Sequence, residues 1–200
     1  AQDVFNTKAA EHYLLLADDL PVLDVRLSLR PAADGAPGDL VGEVAVLRQR
    51  GMIDVNLQNL GSESIGRLGG VLRGEIYNVT GLGDRTSVAL FSTAEFDEQQ
   101  TVQIAHDFRV GGEGLRLGGQ FTWSRVSPSV GLAGFDVEGD TIFASAFASY
   151  PLLRSRSNSL WTDIGFDYVD QDVFVNDVGL TEDRVRMIYI GVSGTTTDQA

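Results

Sequence analysis

Apolar and polar residues alternate along most of the chain from residue 51 onwards, in segments of about ten residues separated by Gly, Asp, Asn and Ser. The clearest segment is 115–124. One side of it carries Leu115, Leu117, Phe121 and Trp123, and the other carries Arg116, Gln120, Thr122 and Ser124. Because successive side chains of an extended strand point to opposite faces, this pattern predicts a strand with one apolar and one polar face.

Segments of this kind follow one another through the chain. We predict eight strands, at residues 52–59, 66–77, 84–94, 100–110, 113–125, 140–150, 159–169 and 183–195. Most of them are close to the ~9–11 residues with which a tilted strand crosses a bilayer. Such a series is typical of a transmembrane β-barrel. A soluble β-sandwich or a soluble barrel alternates too, so the pattern alone does not separate these classes.

The predicted connections differ in length at the two ends of the strands. The two longest, residues 126–139 and 170–182, lie at one end, and residues 78–83, 111–114 and 151–158 lie at the other. Membrane barrels have short turns at one rim and longer loops at the other, so this asymmetry favours the membrane class. Aromatic residues near the predicted strand ends agree with interfacial girdles: Tyr77, Phe108, Trp123, Tyr150, Trp161 and Tyr168.

The first part of the chain has a different pattern. Residues 6–20 predict a helix that Pro21 ends, and residues 22–29 and 39–48 each alternate as a strand. A helix and two strands are too few to bury a core of their own. No stretch of the chain approaches the ~18 apolar residues of a membrane helix.

Composition excludes several classes of function. The formal net charge is −13, with 28 acidic and 15 basic residues, which disfavours nucleic-acid binding because that needs a basic surface. Cysteine is absent, so there is no thiolate nucleophile or Cys-based zinc site. The two histidines, His12 and His106, have no spaced carboxylate partner for metal or acid–base chemistry. We therefore expect no enzymatic activity, no cofactor, no metal and no small-molecule substrate.

In a membrane barrel, charged side chains on the polar sides of the predicted strands would mark the wall of a water-filled lumen. Water solvates a charge there, whereas an Arg or Lys on the lipid side would cost about 2–4 kcal/mol at mid-membrane. The predicted lumen-facing residues are Arg67, Arg73, Glu75, Arg116, Gln120, Asp163 and Asp167. Asp163 and Asp167 could also be read as the paired carboxylates of a catalytic site. We prefer the hydrated wall, in which both carboxylates solvate a channel.

Four stretches, in this order and at these spacings, carry a family resemblance. They are LLLADDLP with VRLSLRP and GDL (14–21, 25–31, 38–40), NLQNLGSESIGR (56–67), NVTGLGD (78–84) and YPLLRSRSNSL (150–160). Together they resemble the outer-membrane transporters of two-partner secretion, the haemolysin secretion/activation family. The first looks like the end of that family's second periplasmic POTRA domain. The others look like its first barrel hairpin, its second turn and its turn between strands six and seven.

The resemblance implies a mainly β fold, an antiparallel transmembrane barrel of about 16 strands preceded by α+β POTRA domains. Residues 1–49 would be the C-terminal part of a POTRA domain, and residues 50–200 the N-terminal half of the barrel. We therefore expect an internal fragment of a longer protein. The last residue, Ala200, is not the aromatic expected at the end of a complete barrel, which also favours a fragment. One departure from the family is Val22, where the family usually has Gly after Pro.

A topology follows from the resemblance, because POTRA domains lie in the periplasm. Residues 78–83, 111–114 and 151–158 would be periplasmic turns, and residues 126–139 and 170–182 would be surface loops. The turn residues of interest are Gly81, Gly83, Asp84, Arg154 and Arg156. The glycines and Asp84 could suggest a phosphate loop, but no helix follows them, so a tight turn is preferred. The two arginines could contact lipid headgroups or acidic partner groups, or simply be solvated.

The resemblance also implies a function in the outer membrane, with the N-terminal segment in the periplasm. A large secreted exoprotein, a haemolysin or adhesin, would be recognised by the POTRA domains and passed unfolded through the barrel. Recognition in the family resembles strand addition, and the strands at 22–29 and 39–48 could offer an edge. One alternative is an assembly factor of the BamA type, which inserts other barrels. The other is a passive porin or a soluble β protein.

Overall fold

A computed structural model describes residues 6–21, 23–33, 36, 38–128 and 135–197. Within these residues the chain forms one helix followed by strands that pair only with antiparallel neighbours. In chain order the elements are α1 (Thr7–Asp18), β1 (Leu23–Pro31), β2 (Leu40–Arg48), β3 (Gly51–Gln58), β4 (Gly69–Tyr77), β5 (Arg85–Thr93), β6 (Gln99–Val110), β7 (Leu115–Val126), β8 (Val137–Arg154), β9 (Asn158–Val175) and β10 (Val178–Thr196).

The N-terminal unit consists of α1, β1 and β2. Asn6 caps the helix, because its side-chain oxygen accepts hydrogen bonds from the backbone N–H groups of Lys8 and Ala9 at 3.1 and 3.2 Å. β1 and β2 pair in a sheet of their own, separate from the other strands. The predicted helix and both strands are therefore present, although predicted residue 22 lies outside the described residues. Among the described residues, no helix is long and apolar enough to cross a bilayer.

β3 to β10 form one eight-stranded sheet in which each strand pairs with its neighbours in sequence. All eight predicted strands are confirmed as elements of this sheet. β3 and β10 lie at its two edges, so the sheet is not closed within this chain. A meander of long antiparallel strands is the arrangement of an up-and-down barrel.

The predicted surface loop at residues 170–182 is wrong. β9 continues to Val175 and β10 begins at Val178, so only Asn176 and Asp177 connect them. Both turn residues have positive φ, 48° and 63°, a conformation that Asn and Asp adopt more readily than other side chains and that tight hairpins require. The stretch looked like a loop because it is rich in acidic residues, yet it alternates and pairs as an extended hairpin.

Three other boundaries also differ. β8 runs to Arg154, through a register shift between Pro151 and Leu153, so the predicted turn at 151–158 shrinks to residues 155–157. β4 begins at Gly69 rather than at residue 66, which leaves Arg67 outside the strand. The predicted loop at 126–139 is shorter as well, because β8 begins at Val137; its residues 129–134 lie outside the described residues.

The larger sheet exposes its apolar face and shelters its polar one. Val88, Ile104 and Phe121 lie side by side across β5, β6 and β7, and they are 41%, 48% and 46% exposed. On the opposite face Asp107 and Ser149 are only 8% and 9% exposed. A sheet that curves around its polar face produces this difference. It is the reverse of a soluble protein, in which burial of the apolar face stabilises the fold.

Candidate functional site

The polar face gathers most of the residues predicted to line a lumen. Pairing across the sheet places six of them on this one face: Arg73, Glu75, Arg116, Gln120, Asp163 and Asp167. Glu75, Gln120 and Asp167 even share one row, which runs across all the strands from β4 to β9. Arg67 is different, because it precedes β4 and pairs with Glu63 at 3.4 Å with 70% of its side chain exposed.

Four residues near one end of β5, β6 and β7 form what we call the arginine cluster: Arg85, Asp107, Arg109 and Arg116. Oδ1 of Asp107 accepts a hydrogen bond from Nε of Arg85 at 3.0 Å, and Oδ2 accepts one from Nε of Arg116 at 3.0 Å. The Asp107 side chain is 11% exposed. A carboxylate this sheltered requires its two ion pairs, because burying an uncompensated charge is costly.

Glycines on the polar face leave room for aromatic rings from the next strand. A Cβ added at Gly118 would stand 2.6 Å from the ring of Phe147, and a Cβ at Gly165 would overlap the ring of Tyr189. Strand pairing brings each glycine opposite its aromatic partner, Gly118 to Phe147 and Gly165 to Tyr189. The rings thus lie flat along the wall, and the glycines are required for this close approach.

The turn between β4 and β5 is held by a buried carboxylate. Asp84 is 0% exposed and accepts hydrogen bonds from the N–H of Val79 at 3.0 Å and from the N–H and hydroxyl of Thr80 at 2.9 and 2.6 Å. Burial raises the pKa of Asp84, but these hydrogen bonds outweigh it and hold the pKa below its usual value. Gly81 and Gly83 have φ of 86° and 63°, so a tight turn rather than a phosphate loop is observed.

Helix α1 docks against the rim formed by this turn and its two neighbours, residues 111–114 and 155–157. The central contact is bidentate: Nε and Nη2 of Arg154 donate to the two carboxylate oxygens of Asp19 at 2.9 and 2.8 Å. Nη2 of Arg109 donates to the backbone carbonyl of Asp19 at 2.9 Å. Two arginines from β6 and β8 therefore hold the end of the helix.

Further contacts extend along the helix. The backbone N–H of Arg156 donates to the carboxylate of Glu11 at 2.9 Å, and the hydroxyl of Tyr13 donates to Glu113 at 3.2 Å, which raises the pKa of Tyr13. Leu16 lies so close to Gly114 that a Cβ there would stand 2.7 Å from its methyl group, and Leu20 lies equally close to Gly83. Glycines therefore occupy the positions of the rim that contact the side chains of the helix.

The predicted turn arginines therefore differ from each other. Arg154 is the last residue of β8 and its guanidinium pairs with an acidic group of the same chain, while Arg156 lies in the turn and contributes its backbone. Asp19, Arg85, Asp107 and Arg109 were not singled out from the sequence. Their partners are 9 to 135 residues away along the chain, and a single sequence contains no signal for such pairings.

The predicted aromatic girdle is only partly observed. Phe108, Trp123, Tyr150 and Tyr168 lie on the apolar face, but Tyr77 and Trp161 lie on the polar one. Beyond the apolar band, the outward positions of β7 to β10 become charged: Arg125, Glu138, Asp140, Asp170, Asp172, Glu182 and Arg184. The strands thus continue past the region that a bilayer could cover. No group of three or more ligating side chains that could hold a metal ion is found in the described part of the chain.

The fold is similar to that of outer-membrane β-barrel transporters of known structure. CdiB from Escherichia coli matches with a TM-score of 0.73 at 18% sequence identity, over 92% of this chain and 35% of its own. CdiB from Acinetobacter baumannii matches with a TM-score of 0.65 at 18% identity, over 89% of this chain and 35% of its own. CdiB is a transporter of two-partner secretion, the family that the sequence resembles. The mainly β, antiparallel fold that the resemblance implied is confirmed, as a sheet of eight strands that is open within this chain.

The chain spans about a third of the length of the CdiB proteins that it matches. BamA from Haemophilus ducreyi, in a structure lacking POTRA domains 1–3, gives a TM-score of 0.49 at 15% identity, which is too low to favour either hypothesis. No protein-family model matches the sequence. A search of curated proteins gives no match either.

Proposed function

We propose that this chain is part of an outer-membrane transporter that moves a large secreted polypeptide through a β-barrel. The intact protein would capture the polypeptide in the periplasm and pass it in an extended form along the polar face of the sheet. The observation that carries the proposal is that the sheet exposes its apolar face and shelters its polar one. Val88, Ile104 and Phe121 are exposed on the first face, and Asp107 is sheltered on the second. Lipid would cover the first face and water the second.

The N-terminal unit supports a transporter more than a simple pore. A passive channel needs only its barrel, whereas here a helix is fixed to the rim by the Asp19–Arg154 pair. The match to CdiB from E. coli covers 92% of the chain, a larger share than Gly51–Thr196 makes up, so it includes part of this unit. We infer that residues 1–49 are the end of a periplasmic POTRA domain, and that β1 or β2 offers an edge for strand addition.

The proposed partners are a secreted exoprotein and outer-membrane lipid, with no nucleic acid. The proposed location is the outer membrane, with the N-terminal unit on the periplasmic side. The mechanism requires no catalytic residue or cofactor, since folding of the passenger outside the cell would make its passage irreversible. Asp163 and Asp167 would then hydrate the wall, in keeping with their places on the polar face of β9.

An experiment on the full-length protein tests this proposal. Its gene is deleted in the native Gram-negative host, and secretion of the large protein encoded beside it is measured together with the levels of other outer-membrane barrels. Loss of that secretion with normal barrel levels is the expected result. A general fall in barrel levels would favour an assembly factor of the BamA type, and a full-length protein that fractionates as soluble would overturn the membrane interpretation.

A further inference from the structure

The arginine cluster carries more positive charge than its own ion pairs use. Arg85 and Arg116 share the single carboxylate of Asp107, and Arg109 donates to a carbonyl oxygen rather than to a carboxylate. The carboxylate of Asp19, beside Arg109, is engaged by Arg154. Three cations therefore surround one anion, in a chain whose net charge is −13. A local excess of positive charge against that background calls for a physical reason.

Asp107 orients the guanidinium groups without occupying all their donors. It accepts from Nε of Arg116, whose guanidinium carbon also lies 5.0 Å from the centroid of the Phe147 ring. Within the described residues Arg116 makes no other hydrogen bond, so its two NH₂ groups stay free. The side chains of Arg85 and Arg116 are 36% and 29% exposed on the polar face. Arginine has five N–H donors in a fixed fork, and here the forks are held in place before any ligand arrives.

Among the described residues, no second acid of the sheet forms an ion pair with these arginines. Glu75 lies on the polar face of β4, diagonal to Arg85, but its carboxylate accepts a hydrogen bond from the hydroxyl of Tyr77. Asp163 lies on the same face as Arg116. Arg116 of β7 pairs with Ser149 of β8, which pairs with Asp163 of β9, so Asp163 is two strands away from Arg116. At ~4.8 Å per strand the backbone separation is about 10 Å, close to the Debye length of about 8 Å at physiological salt. The cluster also lies next to the rim that holds α1, since Arg109 contacts Asp19.

We propose that Arg85, Arg109 and Arg116 form a binding site for carboxylate side chains of an extended polypeptide moving along the polar face. This inference rests on the proposed transport function and names the chemistry that the wall would select. A guanidinium fork binds carboxylates in bidentate fashion. Arg85 and Arg116 extend from strands about 10 Å apart and meet at the two oxygens of Asp107, so their guanidinium groups are closer together than the strands and about two residues of extended chain would bridge them. Acidic side chains a few residues apart in the passenger would fit.

The test measures peptide binding by the full-length protein in detergent. Fluorescent peptides of alternating Glu and Ser are compared with peptides of alternating Lys and Ser by fluorescence anisotropy. The Glu/Ser peptide should bind, the Lys/Ser peptide should not, and R85Q/R116Q should weaken binding about tenfold. R85K/R116K, which keeps the charge but loses the fork, should fall between. R125Q is the matched control, because Arg125 lies on the opposite face and pairs with Glu138 at the far end of β7; it should leave binding unchanged.

Folding of each variant is checked by heat-modifiable migration in SDS gels. If R85Q/R116Q does not fold, R116Q alone is used, which keeps the Arg85–Asp107 pair and should still weaken binding several-fold. Equal affinity of the wild type and a folded R116Q, or equal binding of both peptides, would overturn the inference and leave a purely structural ion network. If gene deletion abolishes secretion but the protein shows no preference between the peptides, the transporter proposal is supported and the arginine site is refuted.

Discussion

One carboxylate determines the conformation of the turn before β5. Asp84 is fully buried and satisfies the N–H groups of Val79 and Thr80. D84A would leave these donors without their partner, so we expect the free energy of unfolding to fall by about 1–3 kcal/mol. Urea unfolding of the full-length protein in detergent measures this, with D97A as a control at an exposed carboxylate in the β5–β6 connection. Equal losses in both variants would contradict the assignment.

The same residue predicts a dependence on pH. The pKa of Asp84 in the folded chain lies below its ordinary value of 3.8, because the hydrogen bonds to the carboxylate outweigh its burial. Its contribution to stability is therefore fully present above the unfolded pKa and is lost as the pH falls through the lower, folded pKa. The difference in unfolding free energy between wild type and D84A should be constant near neutral pH and shrink below about pH 4. A difference that grows in acid would be inconsistent with this account.

Gly165 is required where the ring of Tyr189 crosses the wall. A side chain there would overlap the ring, so we expect G165V to destabilise the folded barrel by about 1–3 kcal/mol. Gly191 of β10 is the control, since it lies on the same face of the sheet as Gly165 and an added Cβ there would have nothing within 4 Å. The temperature at which the barrel unfolds in SDS should be lower for G165V than for the wild type and should change little for G191V. The reverse order would refute the packing argument.

The sequence predicts which face a side chain lies on where the pattern of a single strand determines that face. Alternation alone placed Arg73, Glu75 and Arg116 on the same face of the sheet. It failed for Arg67, because the alternating pattern begins before the first residue of β4, in the connection that precedes the strand. It could not find the role of Asp107, since that depends on which strands become neighbours.

Among the elements, α1 is attached to the rim chiefly through Asp19 and Arg154. Their side chains are 21% and 18% exposed, so the pair is partly shielded from water. D19R should release the helix, and D19R/R154D should restore it, because the charges are exchanged. The chain contains no cysteine, so spin labels at K8C and G112C report the distance between helix and rim. We expect one narrow distance distribution in wild type, a broad one in D19R and a narrow one again in the double variant.

Unchanged distances in D19R would mean that the hydrogen bond from Arg109 and the packing of Leu16 and Leu20 hold the helix without the ion pair. As a control, D24A removes a carboxylate of β1 that accepts a hydrogen bond from Arg26 of the same strand. It should leave the distance unaltered.

The hairpin of β9 and β10 should project beyond the membrane. Phe166 and Asp172 point to the same side of β9, but only Phe166 lies within the apolar band. In cells that carry the full-length protein, D172C should react with a membrane-impermeant maleimide and F166C should not. Equal labelling of the two positions would contradict the extent of the band.

Sequence reasoning identified every strand of the sheet but misjudged how far several of them extend. The apolar signal stops at the edge of the bilayer, although hydrogen bonding between strands does not, so the outer ends of β9 and β10 look like a loop. Asn176-Asp177 was the signal that could have corrected this, since such pairs favour two-residue hairpins. Docking of α1 on the rim involves pairs far apart in the chain and had no local signal.

In the whole molecule, the sheet has open edges at β3 and β10. Open edges agree with a chain that covers 35% of the length of CdiB. Ile53 and Leu57 on β3 are 78% and 79% exposed, and Ile188 and Ile190 on β10 are both 75% exposed. Unpaired edges flanked by exposed apolar residues associate readily. We infer that further strands of a longer protein cover them in a closed barrel.

The transport proposal requires that lipid covers the face of Phe121 and that water covers the face of Gln120. The most direct measurement places single cysteines along β7 of the full-length protein in its membrane, from Gly118 to Trp123, and compares labelling by a water-soluble maleimide with quenching by a lipid-attached quencher. We expect strict alternation, with positions 118, 120 and 122 reached from water and positions 119, 121 and 123 reached from lipid. Alternation in the opposite phase, or water access to both faces, would contradict it.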